Sequence, residues 1–164
     1  MDNKELISVI ESTLYKDFKE TGEVDMMELM DKYTHKVDIE IPGELLKSES
    51  KFKALLSSKG PLIKKALGIN TLDFYRQANV IIFPWFTEDV DKDDLAIYQE
   101  LVIKMAENAS GAKRISDIYH EPENERYAFR CFLLRLGYIG TEYKNARKVL
   151  LRNLTGSAAF RKGH

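Results

Sequence analysis

Residues 71–86 read TLDFYRQANVIIFPWF. Leu72 and Phe74, followed by the run from Val80 to Phe83, are residue types that favour extended chain, and Gln77-Ala78-Asn79 between them supplies a turn. The stretch predicts a β-hairpin. Pro84 cannot donate to a ladder, so it is expected to end the second strand or to lie on a sheet edge. Trp85 and Phe86 are expected in the core, or as an anchor between hairpin and helix, rather than as a platform for stacking bases.

Upstream, Val37, Ile39 and Ile41 alternate with polar residues, which is the period of a strand, and Pro42-Gly43 stops it. That strand is expected to complete the sheet. Residues 44–67 carry a helical pattern broken at Lys59-Gly60-Pro61, with Pro61 suited to the first turn of a new helix. Six lysines face one acid, Glu49, between residues 45 and 68. Nearer the start, Leu6, Ile10, Leu14 and Phe18 recur four apart, predicting an amphipathic helix over 4–19 that ends near Thr21-Gly22. Asp25 and Glu28 form a capping pair for a short helix through Tyr33, with Met27 and Met30 on one side.

Downstream, Leu95, Tyr98, Leu101, Val102 and Met105 predict a helix over 93–108, and Asp93 and Asp94 favour its positive end. Residues 109–124 read as a loop with at most a short helical turn. ENERYAFRCFLLRLG (123–137) predicts a helix apolar enough to be largely buried, with Cys131 inside it as a small hydrophobe. Gly137 and Gly140 bracket a tight connection, and Thr141 is expected to cap a second helix, TEYKNARKVLLRNL, which Gly156 closes. In that helix Tyr143, Ala146, Leu150 and Leu154 form an apolar face, while Lys144, Lys148 and Arg152 form a basic ridge with Arg147 beside it. The fold class is therefore α+β and predominantly helical: about six helices with a small antiparallel sheet. A single domain over 1–164 is expected. Its portions are 1–45 (helix, helix, strand), 46–92 (basic helices and hairpin) and 93–164 (helical).

The chain has 164 residues, 44% hydrophobic and 31% charged. That is an ordinary globular composition, with no apolar run of the roughly 18–20 residues that spans a membrane. One cysteine leaves no intrachain disulfide and too few thiols for a structural zinc site. MDNKELISVIES lacks the basic start and apolar stretch of a secretory signal. A cytoplasmic location, no membrane partner and no cofactor are expected.

The formal net charge of −1 hides a strong sorting. Residues 1–110 carry 14 Lys and Arg against 21 Asp and Glu, whereas residues 111–164 carry 11 against 5. Between Arg126 and Lys162 nine bases accompany one acid, Glu142. Such sorting creates a local positive field that attracts phosphates or an acidic partner, unless the charges meet acids within the chain.

Asp89, Asp91, Asp93 and Glu100 fall at the ligand spacing of a calcium loop, but Asp94 replaces the glycine its sharp turn requires. A helix start explains these acids better. His120, Glu121, Glu123 and Glu125 are one histidine with carboxylates, a weak metal set, and Glu123 and Glu125 suit a helix N-terminus. His35 and His164 are isolated. No nucleophile elbow, phosphate-binding loop, dinucleotide fingerprint or zinc-protease motif is present. The best physical candidate is the last helix pair: a helix, a short glycine-containing turn and a second basic helix follow the order of helix-turn-helix readers. Its expected contacts are Lys144, Asn145, Arg147, Lys148 and Arg152, with Lys59, Lys64 and Lys65 in support. A packed helical hairpin with a solvated basic face produces the same pattern.

KFKALLSSKGPLIKKALGI, then FPWF, then ENERYAFRCFLLRLGYIGTEYKNARKVLLRNLTGSAAFR resembles a family of virulence-related proteins carried on bacterial conjugative transposons. The resemblance covers roughly residues 51–162 and is densest from Glu123 to Arg161. It implies a bacterial cytoplasmic accessory protein of a mobile element and brings no catalytic residue with it. The leading expectation is thus a non-enzymatic protein that contacts nucleic acid through its basic C-terminal helices. The alternative is a protein-interaction module, homodimeric or meeting an acidic partner. A third is an enzyme whose site is assembled in space around His120.

Overall fold

The computed structural model describes residues 2–9 and 36–159. Residues 3–9 are helical; the rest of the helix expected over 4–19, the capped helix through Tyr33, His35 and His164 lie outside the described residues. The remaining elements are β1 (Val37–Pro42), α1 (Glu49–Leu67), β2 (Tyr75–Gln77), β3 (Val80–Phe86), α2 (Lys92–Gly111), α3 (Glu125–Arg135) and α4 (Lys144–Leu151). The protein is α+β: the described residues form five α-helices and a small antiparallel sheet in the order β1-β3-β2.

The alternation read in β1 orients it: Ile39 and Ile41 are buried while Asp38 and Glu40 face solvent. The hairpin turns on Ala78-Asn79, and its first strand begins at Tyr75 rather than at Leu72. Phe74 is taken instead into an aromatic cluster, its ring 5.2 Å from Phe52 and 5.5 Å from Phe83. Trp85 and Phe86 are core residues, as expected. Trp85 donates its indole N–H to the Asp73 carbonyl at 2.9 Å, and Phe86 stacks on Tyr98 of α2.

Pro84, expected to end the second strand or to lie on a sheet edge, does neither: it stands inside β3, the central strand. Val37 pairs with Phe86 but Ile39 pairs with Phe83, so Pro84 and Trp85 together oppose Asp38 in a bulge. On its other side β3 pairs with β2 only from Val80 to Ile82. The missing N–H therefore interrupts no regular ladder, which is how a central strand tolerates proline.

The expected break at Lys59-Gly60-Pro61 is absent: α1 is one helix from Glu49 to Leu67, capped by the Ser48 hydroxyl accepting from Lys51 N–H. Two expected helices are thus merged into one. Gly60 is glycine for packing, since a Cβ there would meet Leu72 at 3.3 Å. Pro61 faces solvent and, lacking an N–H, leaves the Ser57 carbonyl without its helical donor. Replacing Pro61 with alanine is expected to stabilise the protein by about 1–2 kcal/mol. This is the interior-proline penalty reduced by the freedom regained in the unfolded chain. Urea denaturation checks it, and a loss of stability would show that the ring itself is needed.

Asp91 caps α2, its carboxylate accepting from the N–H groups of Asp93 and Asp94 at 2.9 and 3.1 Å. The acids at calcium-loop spacing thus serve a helix start. Ser110, near the other end of α2, donates to the Leu45 carbonyl and accepts from Lys47 N–H, and Gln99 donates to the Glu40 carbonyl. These bonds lay α2 along β1 and the turn that follows it. One buried cluster runs from Ile39 to Leu154 and joins the sheet with all four long or C-terminal helices. No helix among the described residues is long and apolar enough to cross a membrane.

Candidate functional site

The C-terminal helix pair is built by a turn of specific chemistry. At the end of α3, Gly137 N–H bonds to the Leu134 carbonyl and Tyr138 N–H to the Leu133 carbonyl, with Gly137 at φ 101°. This is a Schellman closure, and the burial of both Leu133 and Tyr138 supplies its usual hydrophobic contact. Thr141 does not cap the second helix: residues 141–143 form a 3-10 turn, and α4 begins at Lys144 without a side-chain cap. Gly156 does not close it either, because α4 ends at Leu151.

Beneath this turn lies Tyr138, fully buried, its ring edge-on to Tyr143 at 5.3 Å. The Lys104 ammonium sits 5.2 and 4.8 Å from the two ring centres. The Tyr138 hydroxyl has no hydrogen-bond partner among the described residues, and burial pushes its pKa well above the usual tyrosine range. A polyphenolic floor capped by one ammonium holds the turn rigid. Ala146, Val149, Leu150 and Leu151 bury the inner face of α4.

The structure divides the expected basic set. Lys144, Asn145 and Lys148 are exposed on α4 and pair with no acid among the described residues. Their spacing places them on one side of the helix. Arg147, by contrast, donates one nitrogen to the carbonyls of Tyr138 and Gly140 at 2.9 and 3.0 Å. Arg152 is ion-paired with Asp94 of α2. Both arginines fasten structure. Neither is a free surface charge.

The three supporting lysines do not form one patch, since positions 59, 64 and 65 point in different directions around α1. Lys65 is bound to Glu125 at 2.8 Å. That hydrogen bond, ahead of opposing burial, holds the Glu125 carboxyl below the usual range. Lys64 is exposed and borders a hollow with Asn70, Asp73 and Phe74. Lys59 is half-buried, its ammonium 5.8 Å from the centre of the Phe132 ring.

Lys59 opens onto a feature no linear motif announced. A cleft of about 630 Å³ lies between α1, the 112–124 segment and α3, bordered by Lys59, His120, Asn124, Tyr127, Cys131 and Arg135. Cys131, expected to be buried, is partly exposed here. The reason is helical phase: Phe129, Phe132 and Leu133 take the core side of α3, which turns Cys131 and Arg135 outward. The one signal legible beforehand was His120, a titratable residue in an irregular segment. Among the described residues no group of three or more His, Cys, Asp or Glu side chains is placed to hold a metal.

Set beside known proteins, the chain matches no family model, no curated protein and no solved structure.

Proposed function

We propose that the protein is a non-enzymatic accessory protein of a bacterial mobile element and that it contacts nucleic acid through the solvent face of α4. The mobile-element setting is what the family resemblance implies. The nucleic-acid reading is carried by one observation: Lys144, Asn145 and Lys148 stay exposed, with no acid partner among the described residues, on a helix whose opposite face is buried. Two lysines one turn apart offer phosphate contacts, and an asparagine between them offers the donor and acceptor that read an adenine edge. The Schellman turn and the Arg147 clamp hold this face in a fixed orientation, which lowers the ordering cost of binding.

Titration of labelled duplex and single-stranded DNA, followed by fluorescence anisotropy at ~50 mM salt, tests this reading. Binding is expected to weaken steeply with salt. The Lys144→Glu, Lys148→Glu double variant should flatten the logarithmic salt slope on duplex by about 2 and weaken binding at least about tenfold. Its melting temperature should stay unchanged, because both side chains are exposed. A flat isotherm for both forms of DNA, or a double variant that binds as the parent does, overturns the reading. Association with an acidic protein that survives nuclease treatment would then favour the interaction-module alternative.

A further inference from the structure

The cleft at Lys59 continues into a second hollow of about 410 Å³, and the two share Lys59, His120 and Arg135 along their common border. We infer that this double cleft binds a small phosphate ester, with the phosphate at Lys59, His120 and Arg135 and the rest of the molecule in the second hollow. Three observations carry this inference, and none of them depends on the nucleic-acid reading.

The first is the charge arrangement. Lys59 and Arg135 lie close enough that burial, and then the Arg135 charge, hold the Lys59 ammonium below the usual lysine range. Neither cation has an acid partner among the described residues. Elsewhere the basic side chains that approach the body of the fold meet an acid or a carbonyl: Lys65 pairs with Glu125 and Arg152 with Asp94, while Arg126 and Arg147 donate to backbone carbonyls. Two neighbouring cations left unmatched repel each other, and a bound dianion relieves that repulsion.

The second is the chemistry of the two sides. On the border of the second hollow Leu55, Ile115, Ile118, Phe132 and Leu136 give an apolar surface of the kind that takes a ring or short chain, with Asn108 and a further cation, Arg114, beside it. The volumes are those of small-molecule sites. The third is what stands opposite. Glu121 and Glu123 border the first hollow, so a strand carrying one phosphate after another would meet two carboxylates there. A single phosphate near Lys59 avoids them. The site therefore suits an isolated phosphate ester of about mononucleotide size and disfavours a polyanion.

Cys131 makes the test direct, because it is the chain's one cysteine and borders the first hollow. Its rate of reaction with uncharged dithiodipyridine is measured in the full-length protein with adenosine monophosphate, inorganic phosphate or adenosine added. Adenosine monophosphate is expected to slow labelling in a saturable way, inorganic phosphate to do so at higher concentration, and adenosine to have little effect. Arg135→Gln and Lys59→Met should each raise the protecting concentration about tenfold or more. Arg135 is exposed, so its variant should melt as the parent does and separates lost binding from lost fold. Equal protection by adenosine and its monophosphate, protection that survives Arg135→Gln, or no protection at millimolar nucleotide would each overturn the inference. Lys144→Glu, Lys148→Glu should leave protection intact, so failure here and failure of the DNA reading are told apart.

Discussion

Gly156→Ala is expected to cost about 3 kcal/mol of stability, more than a small-to-small change at an exposed loop position ordinarily does. Two effects combine. Gly156 stands at φ 100°, where an L-residue is strained by about 1–2 kcal/mol. The added Cβ would also lie 2.2 Å from Asn124 Oδ1 and 2.7 Å from its Cγ. Asn124 cannot simply step aside. It is 3% exposed, and its Oδ1 accepts from Tyr127 N–H at 3.1 Å to cap α3. Its amide donates to the Ser157 carbonyl at 2.8 Å. Displacement loses a cap worth about 1 kcal/mol and strands buried polar groups at a further ~1–3 kcal/mol.

The mechanism makes a second expectation. Asn124→Ala removes the same bonds but clears the space, so the double variant should be destabilised by less than the two single costs combined. Equilibrium denaturation of the three variants measures this. A Gly156→Ala protein within about 0.5 kcal/mol of the parent would show that the turn moves freely and that the contact is unimportant.

Arg126→Met is expected to cost about 2 kcal/mol while Lys148→Met costs nearly nothing, although both delete one charge from the same basic third. Arg126 donates to the carbonyls of Leu151 and Leu154 at 3.3 and 2.6 Å. These are acceptors at and just beyond the end of α4, where helical geometry provides no donor and a cation also meets the negative end of the dipole. Methionine keeps most of the apolar stem and removes the two charge-assisted bonds, each worth about 1.5–3 kcal/mol before water partly replaces it. Lysine would not restore the pair, because one ammonium does not reproduce the planar fork. Lys148 makes no such bond among the described residues. Equal melting temperatures for the two variants would contradict this division of labour.

That division marks what sequence could and could not disclose. The hairpin, the strand before it and the helix from Lys92 were legible because each rests on periodic burial or turn chemistry within a few residues. The basic ridge was legible as a ridge. Which of its members are free was not, because their partners are remote in sequence or are backbone carbonyls. Asp94 lies 58 positions before Arg152, and the acceptors of Arg147 are carbonyls of a turn whose shape depends on Gly137 and Gly140. Charge counting cannot register a carbonyl. The Lys59 cleft was hidden for a related reason. Its cations come from α1 and α3, and only packing brings them together. The misplaced break at Pro61 arose differently: a local preference for a helix start was outweighed by the burial of Leu62, Ile63, Ala66 and Leu67 on one continuous helix.

The bulge at Pro84 also bears on the chain before it folds. Residues 80–86, VIIFPWF, form an uncharged, strongly β-prone window that, but for Pro84, has the signature of segments that stack into fibrils when exposed. Such stacking requires every residue to donate and accept along the fibril axis, and proline cannot donate. In the native sheet the bulge accommodates that defect against Asp38. A neighbouring unfolded copy offers no such accommodation. The same imino acid that bends the central strand thus protects the nascent protein from its own most adhesive segment.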